Sequence, residues 1–346
     1  MSKLKEEIVR KLASAFGEGE VISTKDRGSH KESEWSKSFK CEDGEDVFGT
    51  IQRIFGINES ARGLFEAATS GDGNEKSRIL TLHSSSLLAF LCFNDVANHP
   101  ITIDGIVYDD GTVYNDGTVY NEVMFEVKNN VINNSPGKSN IDVLLMGENR
   151  KKLLFLESKF TEYLSGGKVT LSNKYRDLYI KLQKLNLPFN IKFINVLQES
   201  DNSHKEPDIK EGIRLYTEEK TSEHLYGIKQ AFSHLLGIAT GPAKKQTKGN
   251  EDYTSSLLEN ADEIKFASIV FNCDNDKFKK YDDLYKSVFE NSDVIKDTIK
   301  EVLKKRELKL TIVPHLLQYQ EVFQANFLHE KVREFYRVAN ATSEKS

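Results

Sequence analysis

Two acidic residues and a lysine interrupt two apolar segments in the middle of the chain. Asp142 lies in SNIDVLLM, and Glu157 and Lys159 lie in KKLLFLESKF. The polar run GENRKK between them predicts a turn, and a hairpin centred between Asn149 and Arg150 places Asp142 opposite Glu157. Directly opposed residues have Cβ atoms roughly 4.5–5.5 Å apart. Lys159, two residues beyond Glu157, projects from the same face of the strand.

This arrangement suggests metal chemistry. Two carboxylates at that distance repel one another unless a cation or a proton intervenes. Mg²⁺, a hard divalent cation with a preference for oxygen ligands, relieves the repulsion. Charged residues that break an apolar strand are typical of functional sites. The alternative interpretation is a surface ion pair between Glu157 and Lys159 on the exposed side of an edge hairpin, and the strand context favours the functional interpretation.

The elements around these residues predict an α/β fold. Three consecutive strands are expected, EVMFEVKNNVI, SNIDVLLM and KKLLFLESKF, separated by NNSPGK and GENR. A buried helix over 84–98 precedes them, and a helix over 221–241 and a strand over 266–271 follow. The core order is therefore helix, three-strand antiparallel meander, helix, strand. A further helix over 172–186 and a strand over 191–197 are expected between the meander and the second core helix.

The rest of the chain divides at about residue 80. With 346 residues, one large domain or two smaller ones are expected. We expect a mostly helical N-terminal region over 1–80, with a polar loop over 17–46, and a second region over 81–346 that contains the core. A polar loop is expected over 200–212. The C-terminal additions are expected to hold a lysine-rich helix over 284–306, a strand over 308–313 and a helical tail.

An internal repeat precedes the meander. The units DGIVYD, DGTVYN and DGTVYN run back to back from Asp104 to Asn121. Asp-Gly favours tight turns and Val-Tyr favours strands, so the preferred interpretation is a turn-and-strand element. The alternative is a flexible finger that presents Tyr108, Tyr114 and Tyr120 to a ligand.

Composition narrows the class of protein. Lys plus Arg is 48 and Asp plus Glu is 53, a net charge of −5, so any nucleic-acid surface must gather its basic residues on one face. No apolar run is long enough to span a membrane, and the charged N-terminus predicts an amphipathic helix rather than a signal peptide. Three widely separated cysteines exclude a disulfide framework and a CxxC zinc site, which suits a cytoplasmic protein.

SNIDVLL followed by LLFLESKF resembles the PD-(D/E)xK, or restriction-endonuclease-like, nuclease superfamily. Its short motif, an aspartate on one strand and Glu-x-Lys on the next, falls on Asp142, Glu157 and Lys159. The proline that often precedes the aspartate is replaced by Ile141. The resemblance implies a restriction-endonuclease-like core and a Mg²⁺ ion, or Mn²⁺ in its place, held by Asp142, Glu157 and the backbone carbonyl of Ser158. Lys159 would orient or help deprotonate a water molecule.

Two further positions follow from the resemblance. Many members carry an upstream acidic residue, and Glu126 on the first strand can take that place, because a turn centred on Asn134 sets it opposite Asp142. The alternative is an exposed strand residue. Some branches carry Gln-xxx-Tyr on the helix after Glu-x-Lys; here Gln230 takes the first position and His234 stands in the second. The alternative for this pair is the solvated polar face of an amphipathic helix.

The expected activity is Mg²⁺-dependent hydrolysis of DNA phosphodiester bonds by an endonuclease of the restriction type, acting against foreign DNA. Alternatives are a non-cleaving nucleic-acid-binding protein with this fold, or a repair, mobile-element or RNA-directed nuclease. A homodimer is plausible, because double-strand cleavage needs two active sites. Candidate phosphate contacts fall in three basic clusters: Lys168, Lys174 and Arg176; Lys244, Lys245 and Lys248; and Lys300, Lys304, Lys305 and Arg306.

Overall fold

The computed structural model describes residues 3–16, 19–25, 32–70, 78–132, 138–164, 169–198, 208–217, 224–323 and 330–339. The α-helices are α1 Lys3–Ser14, α2 Val47–Phe55, α3 Arg62–Ala68, α4 Ser85–Phe93, α5 Arg176–Leu182, α6 Leu225–Thr240, α7 Ser255–Asn260, α8 Asn275–Phe289, α9 Ser292–Leu303, α10 Tyr319–Val322 and α11 Glu330–Arg337. The strands are β1 Val21–Lys25, β2 Glu32–Phe39, β3 Ile101–Val107, β4 Val113–Asn130, β5 Lys138–Gly147, β6 Lys152–Lys159, β7 Val169–Ser172, β8 Asn190–Gln198, β9 Asp208–Tyr216, β10 Glu263–Val270, β11 Thr311–Ile312 and β12 Leu317–Gln318.

A mixed sheet forms the centre of the fold. Its order is β11-β10-β6-β5-β4-β3, and β12 also pairs with β10. Strands β3 to β6 form an antiparallel meander, whereas β10 runs parallel to β6. Strand β6 therefore lies inside the sheet, and seven of its eight residues are buried, as expected for a strand covered on both faces. The predicted α/β class is confirmed.

Helices α4 and α6 cover opposite faces of this sheet. The Ser158 hydroxyl donates to the carbonyl of Ser85 at the start of α4, over 3.2 Å. Its neighbour Glu157 points the other way and contacts His234 of α6. Helix α4 begins where the sequence predicts, because the Ser84 hydroxyl accepts a hydrogen bond from the N–H of Leu87.

A smaller sheet lies between β6 and α6 in the chain. Its order is β7-β9-β8, and both pairs are antiparallel. The predicted strand over 191–197 is confirmed as β8, and the predicted helix over 172–186 is the shorter α5. The expected loop over 200–212 is wrong from Asp208 onward, because β9 begins there; residues 200–207 lie outside the described residues.

The N-terminal region contains helices α1 to α3 and a hairpin. The prediction of a loop over 17–46 is wrong, since β1 and β2 pair antiparallel, with Val21 opposite Phe39. Phe335 of α11 packs against Phe16, Phe39 and Phe55, with ring centroids 5.2–5.6 Å away. The C-terminal helix thus joins the apolar core of the first 80 residues.

The six-residue repeat forms the β3–β4 hairpin, and its turn-and-strand interpretation is confirmed. The middle Asp-Gly makes the turn, where the N–H of Gly111 donates to the carbonyl of Tyr108 over 2.8 Å. The outer two units face each other, because Asp104 Oδ1 accepts from the N–H groups of Asp116 and Gly117 over 2.6 and 2.7 Å. Tyr108 and Tyr120 are buried, so the finger interpretation is wrong.

Two C-terminal expectations need correction. The single helix over 284–306 is two helices, α8 and α9, which part at Glu290 and Asn291. The strand over 308–313 is confined to the two residues of β11. All three cysteines are free, as expected. Across the described part of the chain, no helix combines the length and the apolar character needed to cross a membrane.

Candidate active site

A fork in the central sheet holds the motif. Strands β5 and β6 pair from Gly147 with Lys152 to Val143 with Leu156, which centres the turn where the sequence predicts. Beyond that point β5 continues along β4 and β6 continues along β10. Asp142 and Glu157 are the next residues on the two strands, so both lie where the strands separate.

Asp142 is tied across this fork. Its Oδ2 accepts a hydrogen bond of 2.7 Å from the backbone N–H of Ser158. The residue is half-buried, in contrast to Glu157 opposite it. Burial of the carboxyl group and repulsion from Glu157 raise the pKa of Asp142 well above its ordinary value. A cation placed between the two carboxylates would favour the ionised form of both.

Glu157 and Lys159 form a buried ion pair at 2 % and 5 % exposure. The alternative of a surface pair on an edge hairpin is therefore wrong. The Lys159 ammonium also donates to the backbone carbonyl of Ser158 over 3.1 Å. Burial disfavours the charge on Glu157, but the charges of His234 and Lys159 outweigh it and lower the pKa of Glu157 to about 2. Burial likewise opposes the charge on Lys159, yet Glu157 and Asp142 raise its pKa above the ordinary value.

His234 of α6 completes the cluster, and sequence reasoning gave it no role beyond a motif departure. Its Nε2 lies 2.7 Å from Oε2 of Glu157, although neither atom makes a well-directed hydrogen bond. Its Nδ1 lies 2.6 Å from the hydroxyl of Ser139 on β5. Helix α6 can approach so closely because Gly237 faces Ser139: a Cβ there would lie 2.8 Å from that of Ser139. His234 is 5 % exposed, so the solvated-face interpretation is wrong for it.

Glu126 lies across from Asp142, as the predicted register requires. The flanking pairs are Phe125 with Val143 and Val127 with Ile141. Glu126 is 4 % exposed, so the alternative of an exposed strand residue is wrong. Its φ of 52° is left-handed, a conformation that costs a non-glycine residue about 1–2 kcal/mol. Such strain in a strand beside two other acids is typical of a functional position.

Gln230 makes no hydrogen bond to the motif residues in the described structure. It is half-buried on α6, one turn before His234. Its Oε1 is buried and makes no hydrogen bond within the described residues. The structure thus brings Asp142, Glu157, Ser158 and Lys159 together, with Glu126 in the adjacent strand, but it does not bond Gln230 to them.

Two other residues near the motif escaped sequence reasoning. Glu162 follows β6; its Oε2 accepts from the N–H of Phe160 over 2.8 Å, and its charge acts on Asp142 and Lys159. Tyr281 of α8 has a fully buried hydroxyl without a hydrogen bond in the described structure, within range of the charges of Lys159 and Glu157. Glu162 could have been suspected as a third acid five residues past the motif glutamate, whereas nothing in the sequence relates Tyr281 to this strand.

The donor set of the fork fits a hard divalent cation. It offers two carboxylates and the Ser158 carbonyl, which are the oxygen ligands that Mg²⁺ prefers. The Lys159 ammonium already bonds to Glu157 and to that carbonyl, so the fork accommodates positive charge, and Oε2 of Glu157 has no hydrogen bond. Among the residues described, no group of three or more His, Cys, Asp and Glu side chains is arranged around a metal position. A cation here would therefore depend on the carbonyl and on water for its remaining ligands.

Comparison of the chain with protein-family models, curated proteins and solved structures gives no match. Any assignment of activity therefore depends on the geometry of the fork and on the order of the elements around it.

Proposed function

We propose that this protein is a Mg²⁺-dependent DNA endonuclease of the restriction type, with Mn²⁺ as an alternative ion. The observation that carries the proposal is the fork itself. Asp142, Glu157 and Lys159 are collected at the point where β5 and β6 separate; Glu157 and Lys159 are buried and Asp142 is half-buried. Two opposed carboxylates that are shielded from water destabilise the fold unless a cation lies beside them, so their presence here argues for a functional role.

The order of elements supports a restriction-endonuclease-like core. Helix α4, the meander β4–β5–β6, helix α6 and the parallel strand β10 follow one another as that core requires. The small β7–β9–β8 sheet is then an insertion between the motif strand and the second core helix. His234 in place of the tyrosine of Gln-xxx-Tyr departs from the family pattern, and its contact with Glu157 supplies a reason for that departure.

Each residue of the fork would have a distinct role in catalysis. Asp142, Glu157 and the Ser158 carbonyl would hold the ion, which when bound supplies Lewis-acid polarisation of a phosphate oxygen. Lys159 keeps its proton on Nζ at neutral pH because its pKa is raised. It can therefore donate hydrogen bonds, orient a water molecule and offset negative charge in the transition state. His234 holds Glu157 from the side opposite Lys159.

Cleavage of supercoiled and linear DNA tests the proposal. The protein is incubated with DNA and Mg²⁺, Mn²⁺, Ca²⁺ or EDTA, and the products are separated on a gel. We expect nicking or linearisation with Mg²⁺ or Mn²⁺ and none with EDTA. Asp142→Asn should abolish it, whereas Asp43→Asn, at an exposed position of the N-terminal region, should leave it unchanged.

Two results would overturn the proposal. Cleavage that persists in the Asp142→Asn protein would remove the fork as the active site. A shifted DNA band without nicking under any metal would indicate the non-cleaving nucleic-acid-binding protein instead. A panel of single-stranded DNA, duplex DNA and RNA then separates a restriction-type enzyme from repair and RNA-directed nucleases.

A further inference from the structure

A pair of hydroxyl groups joins the C-terminal part of the chain to the fork. The backbone N–H of Ser158 bonds to Asp142, while its side chain points to the face of the sheet opposite Glu157. On that face, Oγ of Ser158 lies 2.8 Å from the hydroxyl oxygen of Tyr319 on α10 and 3.2 Å from the carbonyl oxygen of Ser85. Ser158 is 0 % and Tyr319 2 % exposed, so water does not compete for these bonds.

The donor and the acceptor of each bond follow from the chemistry of the groups. A carbonyl only accepts, so the Ser158 hydroxyl donates its one proton to Ser85. Oγ of Ser158 therefore accepts from Tyr319, whose phenol group keeps its proton at neutral pH. Because the serine side chain turns about a single torsion, two bonds to its oxygen also limit how far the Ser158 backbone can move.

The Ser158 backbone depends on such support at its β5 side. Regular pairing of β5 with β6 ends at Val143 with Leu156. Beyond that pair, the N–H of Ser158 bonds to the Asp142 side chain in place of a strand carbonyl. The position of this peptide group relative to Asp142 is therefore set by side-chain contacts rather than by the ladder.

Tyr319 is itself firmly placed. Strand β12 ends one residue before it and pairs with Ile269 of β10, which is also the residue that pairs with Ser158. The Tyr319 ring packs against Phe93 of α4 and Phe323, with ring centroids 6.2 and 5.8 Å away. A side chain held by packing in this way can hold a neighbouring group in a defined geometry.

The basic clusters suggested by the sequence offer no comparable contact. Lys248 and Lys300 pair with the carboxylates of Glu66 and Asp297, and Lys168 lies outside the described residues. Tyr319, by contrast, bonds directly to a residue of the fork.

We propose that Tyr319 is a positioning residue of the fork, whose hydroxyl holds Ser158 so that its N–H meets Asp142 and its carbonyl is presented to the divalent cation. The inference rests on the proposed nuclease function and extends it to the C-terminal segment. Tyr319 acts only through Ser158, so it governs how well the ion is bound. Loss of its hydroxyl therefore affects the concentration of Mg²⁺ that cleavage needs more than the rate once the ion is saturating.

The test uses the full chain and compares Tyr319→Phe, Ser158→Ala and the double variant with the wild type. Ser158→Ala removes the same bond from its other end and keeps the backbone N–H and carbonyl. One measurement is the initial rate of plasmid cleavage at a series of Mg²⁺ concentrations. The other needs no activity: it is the rise in melting temperature on addition of Mg²⁺ without DNA.

Tyr120→Phe is the matched control. Tyr120 is also a fully buried tyrosine on the central sheet, and its hydroxyl donates to Asp116. It lies opposite Gly147, at the turn end of β5 and away from the fork. Asp116 keeps a second partner in this variant, because Lys265 Nζ lies 2.7 Å from its Oδ1.

We expect Tyr319→Phe to raise the Mg²⁺ concentration for half-maximal cleavage by about two- to tenfold, the range for one hydrogen bond. Saturating Mg²⁺ should restore most of the wild-type rate, and the rise in melting temperature at a fixed, subsaturating Mg²⁺ concentration should be smaller. The double variant should need no more Mg²⁺ than Ser158→Ala alone, because both changes remove the same bond. Tyr120→Phe should lower the melting temperature of the metal-free protein and leave its Mg²⁺ dependence unchanged.

Several results would overturn the inference. An unchanged Mg²⁺ dependence in Tyr319→Phe, with a wild type that cleaves, rejects the positioning role and leaves the nuclease function standing. The same shift in Tyr120→Phe shows general loosening of the sheet and rejects it too, as do additive effects in the double variant. If Tyr319→Phe is unfolded at the assay temperature, the Mg²⁺ dependence of Ser158→Ala decides. A wild type with neither Mg²⁺-dependent cleavage nor stabilisation by Mg²⁺ rejects the inference together with the proposed function.

Discussion

The backbone N–H of Ser158 donates to Oδ2 of Asp142 over 2.7 Å and so links the two strands after their regular pairing has ended. This bond fixes the Asp142 carboxylate beside Glu157, although the two acids repel one another. It needs only an acceptor oxygen, which asparagine also provides. The hydrogen bond and the charge of Asp142 can therefore be separated by experiment.

Asp142→Asn should raise the melting temperature of the metal-free protein while abolishing cleavage. The raised pKa of Asp142 means that burial and the charge of Glu157 disfavour its ionised form in the folded state. Folding then binds a proton more tightly, so this residue lowers stability as pH rises above the ordinary aspartate pKa. The rise in melting temperature should appear at pH 7 and disappear near about pH 3, where Asp142 is protonated in both the folded and the unfolded state.

Added Mg²⁺ should raise the melting temperature of the wild-type protein, because a ligand that binds only the folded state stabilises it. Asp142→Asn should lose most of this rise, and EDTA should reverse it in the wild type. Differential scanning fluorimetry with and without Mg²⁺ measures both effects. An equal rise in the two proteins would place the ion elsewhere.

His234→Ala should destabilise the protein by about 1–3 kcal/mol, because it leaves the buried Ser139 hydroxyl without its partner and removes a neighbour of Glu157. Cleavage should fall as well. Ser139→Ala keeps the contact between His234 and Glu157 and should cost less of both. Urea denaturation and initial cleavage rates provide the comparison. A larger loss of cleavage in Ser139→Ala than in His234→Ala would show that the contact between His234 and Glu157 is not the one that supports cleavage.

Gly227→Ala should shift α6 and lower both stability and cleavage. A Cβ at Gly227 would lie 1.7 Å from the Tyr281 hydroxyl oxygen and 2.6 Å from the ring carbon that bears it. Tyr281→Phe removes an oxygen that has no hydrogen bond in the described structure, so alone it should be nearly neutral. The double variant should recover part of the loss, since the nearer of the two overlapping atoms, the hydroxyl oxygen, is gone. A strictly additive double-mutant cycle would argue against this contact.

Glu45→Gln should destabilise the N-terminal region at neutral pH by about 1 kcal/mol, the upper range for a partly exposed pair. A hydrogen bond from Arg53 lowers the pKa of Glu45 from 4.5 to about 2. Stability from a lowered carboxyl pKa is present above the unfolded value and is lost as pH falls through the folded one. The difference between wild type and variant should therefore shrink between pH 5 and about pH 2, which thermal melts over that range would detect.

The hairpin register was predictable because one polar turn, centred between Asn149 and Arg150, fixes which residues oppose each other. The same reasoning set Glu126 opposite Asp142. Burial of the motif also follows from sequence, since apolar residues on both faces of β6 require cover on both faces.

Contacts that join distant parts of the chain were not predictable. His234 was visible on an apolar helix, but its partners Glu157 and Ser139 depend on how closely α6 approaches the sheet at Gly237. The β1–β2 hairpin was missed because its residues are mostly polar and their pattern resembles a loop. The break between α8 and α9 lies at Glu290 and Asn291, where helix propensity alone gives little warning.

The hairpin of the six-residue repeat has a consequence for its own copy number. Its middle unit reverses the chain, and its outer units bind each other through Asp104, Asp116 and Gly117. With three copies, the middle Asp-Gly forms the turn and the two outer Asp-Gly units pair with each other. A chain that gained or lost one unit would leave one Asp-Gly unmatched across the hairpin, so the pairing of β3 with β4 limits how far this stretch can expand or contract.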